Sequence, residues 1–173
     1  MALDVHYPPA GGARGALVRS SEASFAVVCA ERVTVLAEVA PYEPGRFFAR
    51  ELPVLRALLA GERDLDLVVV DGYVHLDPDG RPGLGAHVHA EFGVPVIGVA
   101  KTPFRAATQA LPVRRGEATR PLYVTAAGLD AADAAVLVGR MAGPYRLPDA
   151  LRRVDRLSRS GECAGGSTEP GEH

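Results

Sequence analysis

Three acidic residues far apart in the sequence occupy positions where a folded chain concentrates chemistry. Asp4 lies in the first apolar stretch, LDVHY, and Asp71 ends the apolar run LDLVVVD. In α/β sheets, reactive groups collect at the carboxyl ends of strands. Glu51 lies on the apolar stripe of a predicted helix, between Phe48 and Leu55. An isolated buried carboxylate is costly, so this one needs an arginine, a proton or a metal ion. Three converging carboxylates suit Mg²⁺ or Mn²⁺, which orient a water and stabilise the leaving oxygen of a phosphodiester.

Each of the three carboxylates also has a simpler interpretation. Asp71 precedes a glycine and is compatible with an ordinary turn, and Asp4 with a surface residue near the terminus. Glu51 has Arg14 and Arg50 as possible ion-pair partners. The spacing of the residues leaves both interpretations open.

Two further residues add to the pattern. Lys101 is the only lysine of the chain and directly follows the apolar run VPVIGVA, where its ammonium can contact a phosphate or a carboxylate. Tyr42 lies in the loop PYEPG, which Pro41, Pro44 and Gly45 stiffen. A rigid, exposed aromatic side chain serves as a wedge between bases. The alternatives are an ordinary loop lysine and a tyrosine that packs on its own loop.

The histidines do not predict a zinc site. His87 and His89 are two residues apart in a predicted helix, so they do not share a face. We expect His87 to be a packing or phosphate-side group and His75 a loop residue.

Composition bounds the class of protein. The 173 residues predict one domain over 1–160, followed by a tail over 161–173 that is poor in apolar residues and predicted to be disordered. No apolar run approaches the roughly 18 residues of a membrane-spanning helix. The two cysteines and the absence of a signal-peptide pattern favour a reducing cytoplasm. Residues 101–160 carry 11 basic and 5 acidic side chains, which is compatible with a polyanion partner or with a solvated surface.

The elements that must position these side chains begin with strands. LDVHY and GALVRS are predicted as one interrupted strand or as a hairpin, and SFAVVCA and RVTVLAEVA as two further antiparallel strands. A helix over about 46–60, the buried strand LDLVVVD, the helix LGAHVHAEF and the strand VPVIGVA follow. The strand PLYVT and the helices DAADAAVLVGRMAG and LPDALRRVDRLSRS complete the chain. An antiparallel meander followed by parallel strands, flanked by helices, predicts a mixed α/β sheet of the ribonuclease-H-like class.

A resemblance extends over about residues 3–158. The stretches LDVHY with GGARGALV, PYEPGRFFARELPVLRALL, DLVVVDGY, GLGAHVHAEFGVPVIGVAKTP, RPLYVTAAG and PYRLPDALRRVDRL resemble the endonuclease V family of deoxyinosine-directed nucleases, in the family's order. The resemblance implies that Asp4, Glu51 and Asp71 are catalytic metal ligands. It also implies that Lys101 lies near the scissile phosphate and that Tyr42 is the wedge beside the lesion.

The resemblance also implies a substrate and a cofactor. The expected reaction is Mg²⁺-dependent hydrolysis of the second phosphodiester 3′ to inosine, and Mn²⁺ is expected to substitute. The segment from Gly83 through Gly85 to His87, together with Gly98, is expected to form the pocket for the flipped base. The expected partner is DNA that contains deoxyinosine, with RNA the substrate of some relatives, and the protein is expected to act as a monomer without a membrane.

Three departures from the family pattern motivate an alternative function. The family places a histidine after the LYVT strand, where this chain has Gly128 or a neighbour. The family also has a helix before its first aspartate, and the loop after Asp71 contains Asp77 and Asp79 instead of basic residues. The alternative is an inosine or nucleic-acid binding module with weak or lost cleavage, and a third possibility is a nuclease with another nucleic-acid substrate. A histidine restored at Gly128 is expected to raise cleavage only in an enzyme.

Overall fold

An antiparallel meander opens the fold. The computed structural model describes residues 1–41, 43–44 and 48–160. Strand β1 (Ala2–His6) pairs antiparallel with β2 (Ala13–Ser20), and β2 pairs antiparallel with β3 (Val28–Leu36). Of the two options for these stretches, the single interrupted strand was wrong and the hairpin is confirmed.

The prediction of separate strands in SFAVVCA and RVTVLAEVA was wrong, because one continuous strand, β3, spans their junction. Glu31 and Arg32 interrupt the apolar pattern, but β3 is an edge strand whose side chains are mostly exposed, so charged residues are tolerated within it. Phe25, just before the strand, is buried at a backbone φ of 56° and belongs to the turn.

The centre of the sheet is parallel and buried. Strand β4 (Val68–Asp71) lies between β1 and β5 (Val96–Ala100) and is parallel to both, as the continuous apolar runs predicted. Strand β7 (Leu122–Ala127) then pairs antiparallel with β5, and β6 (Leu111–Val113), which the sequence did not predict, forms the other edge. The order is β3-β2-β1-β4-β5-β7-β6.

Helices cover both faces of this sheet. Helices α1 (Phe48–Leu59) and α2 (Leu84–Phe92) share one core with the β1, β2 and β4 side chains of their face, and α3 (Ala131–Arg140) and α4 (Asp149–Arg159) share the other. Gly15 lets α1 approach the sheet, because a Cβ there would lie 2.5 Å from Val54 Cγ1 and 2.6 Å from Leu58 Cδ1. Asp130 caps α3 by accepting the Ala132 and Asp133 amides. The predicted mixed α/β architecture is confirmed.

No helix in the part of the chain that the structure describes has the length and apolar character needed to span a bilayer.

Candidate active site

The strand register brings the two aspartates side by side. Leu3 of β1 lies opposite Val70 of the parallel strand β4, so Asp4 and Asp71 follow on neighbouring strands at the same edge of the sheet. Helix α1 covers this edge and turns Glu51 toward it. All three carboxylates line one small cavity, whose other walls are Leu3, Val5, Leu55, Val70 and Leu84.

Glu51 is the most buried of the three acids. Only 8% of its surface is exposed, as its place on the apolar stripe of α1 predicted. Burial raises its pKa to about 8, with contributions from the negative charges of Asp4 and Asp71, while Arg50 acts in the opposite direction. The Arg50 guanidinium lies 4.1 Å over the ring of Tyr7. Glu51 is therefore predominantly protonated at neutral pH unless a cation joins it.

Asp4 is held from the C-terminal helix. The Ser158 hydroxyl of α4 donates to Asp4 Oδ2 at 2.8 Å, and Ser158 is fully buried. Burial raises the pKa of Asp4, and the hydrogen bond from Ser158 acts against this rise. The charges of Asp71 and Asp155 raise the pKa further, and that of Lys101 lowers it. The two residues in this contact are separated by 154 positions in the sequence.

Lys101 lies among these acids. Its Nζ is 2.6 Å from Asp71 Oδ2 and 4.0 Å from Asp155 Oδ1. Burial alone lowers the pKa of Lys101, but its hydrogen bond to Asp71 and the nearby negative charges outweigh burial, so the pKa is raised. The Arg146 guanidinium donates to the main-chain carbonyls of Lys101 and Pro121 and so fixes the end of β5.

Asp155 is a site residue that the sequence analysis missed. It is the acid that lies among arginines in the middle of α4, VDRLSR, and the helix turns it toward Lys101. An acid in a helix rich in arginines ordinarily indicates a solvent-exposed ion pair, and Asp155 does accept a hydrogen bond from Arg159. Only the packing of α4 on β1 shows that it also faces the site.

The donor chemistry of Asp4, Glu51 and Asp71 fits a hard divalent cation, because all three supply carboxylate oxygens. As the side chains lie, no set of three or more His, Cys, Asp or Glu residues within the described ranges forms a geometry that would hold a metal ion. The two observations are compatible, because the Lys101 ammonium contacts Asp71 and supplies the positive charge at this edge. A cation that joined the three acids would compete with that ammonium for Asp71.

Comparison with known proteins identifies the family of the chain. A family model described as Endonuclease V matches residues 1–128. The chain belongs to the endonuclease V family. An endonuclease V from Streptomyces coelicolor is 34% identical to it over 91% of this chain and 76% of that protein.

Solved structures of endonuclease V share the fold. The Streptomyces avermitilis protein superposes with a TM-score of 0.76 at 29% identity, covering 91% of this chain and 78% of that one. The Ciona intestinalis protein was solved in complex with a 23mer DNA containing an inosine followed by a ribo-adenosine. It superposes with a TM-score of 0.74 at 18% identity, over 91% of this chain and 82% of that one.

An apolar pocket adjoins the acids of the candidate site. It has a volume of about 190 Å³, and Glu51 and Asp71 form one side of it. Its remaining walls are Phe48, Gly72, Tyr73, Leu76, Pro82, Gly83 and Leu84. A larger cavity, of about 380 Å³, lies at the other end of β1 around Arg19 and Asp66 and contains none of the predicted site residues.

The glycines expected to form the base pocket have different positions. Gly83 lines the pocket, whereas Gly85 and Gly98 are buried behind it. A Cβ at Gly98 would lie 2.6 Å from the Gly72 carbonyl oxygen and 2.8 Å from the Val74 amide nitrogen. A Cβ at Gly85 would lie 2.7 Å from Val74 Cγ2. These two glycines therefore support the pocket without lining it, because they let the loop after β4 approach α2 and β5.

His87 forms part of the support behind the pocket. Its ring stacks on Phe48 with 3.8 Å between centroids, and burial lowers the pKa of the imidazole. This is the packing role that the sequence suggested as one option. His75 contributes its main-chain carbonyl to a hydrogen bond from Gln109, and His89 Nδ1 lies 2.6 Å from the Val94 carbonyl oxygen.

The proline-rich loop is only partly described. Pro41 and Pro44 are exposed, and Tyr42 and Gly45 lie outside the described residues, as do 46–47 and the tail 161–173. The wedge assigned to Tyr42 stays a prediction.

Gly128 does not occupy a catalytic position. Strand β7 pairs its end with the start of β5, Ala127 opposite Val96, so Gly128 lies at the opposite end of β5 from Lys101. Its φ is +76°, and a Cβ there would lie 2.7 Å from His89 Cε1. A histidine at Gly128 would be strained and would not reach the acids. The expectation that its restoration discriminates an enzyme from a binding module was therefore wrong.

The acidic loop after β4 repels a polyanion less than its sequence suggested. Asp77 accepts the Arg81 amide at 2.9 Å and lies 3.5 Å from the Arg81 guanidinium. Part of its negative charge is therefore offset within the loop.

Proposed function

We propose that this protein is a metal-dependent endonuclease that acts on nucleic acid containing a deaminated purine, inosine, and hydrolyses the second phosphodiester 3′ to the lesion. The observation that carries this proposal is the meeting of Asp4, Glu51 and Asp71 in one cavity beside an apolar pocket. Membership of the endonuclease V family supports it.

The pocket supplies the features that recognition of an extruded base requires. Phe48, Tyr73 and Leu76 offer apolar and aromatic surface on which a base can stack. Gly72 and Gly83 lie in the same wall, and because they carry no side chain they leave room for a base beside the acids. The relative from Ciona intestinalis binds DNA that contains inosine, and we extend that ligand to this chain.

The acids divide the remaining work. Asp4, Glu51 and Asp71 would hold Mg²⁺ or Mn²⁺, which when bound activates a water and stabilises the leaving oxygen. Because a carboxylate must be deprotonated to act as a ligand, Glu51 must release the proton that burial favours. Ser158 donates to one oxygen of Asp4 and so fixes the orientation of the carboxylate that a ligand would meet.

Lys101 would serve the substrate. Its ammonium is held by Asp71 at the edge of the cavity, and its side chain is 38% exposed. If Asp71 held a cation, the Lys101 ammonium would be left to contact the phosphate to be cut. The positive charge then lies where negative charge develops on the phosphate oxygens.

The alternative, a binding module that has lost cleavage, is not favoured. Two of its grounds are weakened: the position of the missing histidine, near Gly128, lies away from the acids, and Arg81 offsets part of the negative charge of the loop after β4. Mg²⁺ as the metal with Mn²⁺ as its substitute, RNA as a second substrate, a monomeric state and a cytoplasmic location remain predictions.

A nicking assay tests the proposal. The wild-type protein is incubated with a duplex that contains one deoxyinosine, with Mg²⁺ or Mn²⁺, and we expect a cut at the second phosphodiester 3′ to the inosine. Asp71→Ala should abolish the product, whereas Asp79→Ala, which removes an exposed acid of the following loop, should retain it. Absence of cleavage by the wild type with both metals, on duplex, single-stranded and RNA substrates, refutes the proposal.

A further inference from the structure

A line of side chains along α4 leads away from the acids. Arg152, Asp155 and Arg159 are spaced by three and four residues and therefore lie along one side of the helix. Asp155 Oδ1 lies 4.0 Å from Lys101 Nζ, and Arg159 Nε donates to the same oxygen at 3.0 Å. This side of α4 therefore borders the candidate active site directly.

Tyr145 extends the line beyond the start of the helix. Its surface is 56% exposed, and the Arg152 guanidinium lies 4.1 Å over its ring. The loop beneath it is fixed, because the buried Arg115 donates to the Tyr145 carbonyl at 2.7 Å. Arg146, the next residue, is tied to the carbonyl of Lys101. Tyr145, Arg152 and Arg159 are called here the α4 ridge.

The charges of the ridge remain available to a ligand. The Arg152 and Arg159 side chains are 49% and 59% exposed. Besides its contact with the Tyr145 ring, Arg152 has a 3.5 Å ion pair with Asp149, an exposed contact of the kind that contributes little. Arg159 uses Nε for Asp155, and within the described residues its terminal nitrogens have no acceptor. Planar guanidinium groups with free donors are well suited to phosphate oxygens.

The spacing of the ridge fits a nucleic-acid strand. Arg159 lies seven positions after Arg152 in the helix, which corresponds to about 10 Å along the axis. That distance is about the axial rise of three phosphates in one strand of duplex DNA. An exposed aromatic ring at one end adds a surface on which a base or sugar can pack.

We propose that the α4 ridge binds the nucleic-acid strand next to the phosphodiester that is cut, with Arg152 and Arg159 on backbone phosphates and Tyr145 packed on a base or sugar. This inference rests on the proposed function, because it assigns a binding path to the same site.

The opposite side of α4 provides a matched control. Arg153 is paired with Glu31 of the edge strand β3, away from Lys101. It has the same side chain and belongs to the same helix as the ridge arginines. A general effect of lowering the positive charge of α4 would therefore appear in Arg153→Gln as well.

The test is the salt dependence of binding. Fluorescence anisotropy measures the affinity of Asp71→Asn, in EDTA, for a labelled deoxyinosine duplex and for an undamaged duplex over a series of salt concentrations. Each phosphate contact contributes about one to the slope of log K against log salt. We expect Arg152→Gln and Arg159→Gln each to reduce that slope by about one and the double variant by about two.

The remaining variants separate charge from packing. Arg152→Lys and Arg159→Lys keep the positive charge and should retain most of the slope. A slope that falls in the glutamine variants and is kept in the lysine variants is then due to the lost charge. Tyr145→Ala should weaken binding several-fold with the slope unchanged. Arg153→Gln should change neither quantity.

Two outcomes refute the proposed role of the α4 ridge. The first is a salt slope in the double variant that equals that of the unsubstituted ridge. The second is an equal reduction of the slope in Arg153→Gln. Failure of the proposed function has a different signature. In that case the wild type neither cleaves inosine duplexes nor binds them more tightly than undamaged ones. The double variant still shows a smaller slope of log K against log salt on the deoxyinosine duplex and on the undamaged duplex. The α4 ridge then remains as a sequence-independent contact to nucleic acid.

Discussion

Replacing Glu51 by glutamine should make the metal-free protein less sensitive to alkaline pH. Burial and the two neighbouring aspartates raise the pKa of Glu51 from 4.5 to about 8. The folded state therefore binds this proton more tightly than the unfolded state does. The resulting stabilisation is fully present below pH 4.5 and is lost as pH rises through the folded-state value of about 8. Glutamine has no proton to lose, so this loss should disappear in Glu51→Gln.

The magnitude follows from the size of the shift. Each unit of pKa corresponds to about 1.4 kcal/mol, so the wild type should lose about 5 kcal/mol in free energy of unfolding across the full range. Between pH 5 and pH 9, we expect the difference in stability between Glu51→Gln and the wild type to grow by about 4 kcal/mol. Comparing the growth of this difference cancels the constant cost of burying an amide.

Urea denaturation in EDTA at pH 5, 7 and 9 measures this difference. The chain has no tryptophan, so far-UV circular dichroism is the suitable signal. Glu117→Gln removes an exposed carboxylate and serves as the control, for which the difference from the wild type should not depend on pH.

The outcome that refutes the reasoning is a parallel fall in stability of the wild type and Glu51→Gln between pH 5 and pH 9. It would mean that Glu51 is not held in an environment that opposes its ionisation. Addition of Mn²⁺ at pH 8 provides the second arm. Binding to the folded state should stabilise the wild type with increasing metal concentration and should have much less effect on the variant.

Three other changes probe the supports of the site. Ser158→Ala removes the donor to the aspartate of β1 and should weaken Mn²⁺ binding, measured by electron paramagnetic resonance, by about tenfold, as expected for a charge-assisted hydrogen bond of about 1.5 kcal/mol. Ser160→Ala, which removes a hydroxyl that among the described residues bonds to the Leu157 carbonyl, should leave binding unchanged, and equal losses in both would argue against the assignment. Lys101→Met should lower single-turnover cleavage by roughly 100-fold without weakening Mn²⁺ binding; normal cleavage would contradict its role. Gly98→Ala should cost about 1–3 kcal/mol in urea denaturation, whereas Gly139→Ala, with its nearest neighbour 3.9 Å from the new Cβ, should not destabilise; equal stabilities would disprove the close approach at β5.

Local sequence patterns determined most of the elements and the facing of individual side chains. The bounds of α2 match the predicted stretch LGAHVHAEF, and the apolar runs of β4 and β5 correctly predicted a buried parallel pair of strands. The inward direction of Glu51 followed from helical periodicity alone. Such patterns suffice because they report how one element divides its own residues between core and solvent.

Predictions failed where the deciding neighbour is distant in sequence. The prediction divided β3 into two strands at its charged residues. An edge strand tolerates such residues, but the sequence does not reveal which strand is an edge. Gly98 was assigned to the pocket, but it is covered by the loop after β4. Gly128 was assigned to the site, but antiparallel pairing of β7 with β5 carries it to the far end.

The sequence by itself thus determined that three carboxylates lie at strand ends or on a buried helical stripe, and that the fold is a mixed α/β sheet. Only the tertiary structure decided that α4 packs on β1. This packing places Ser158 against Asp4 and Asp155 near Lys101. The physical reason is that periodicity fixes which side of an element is buried, whereas the partner of that side is chosen by strand order and helix packing across the whole chain.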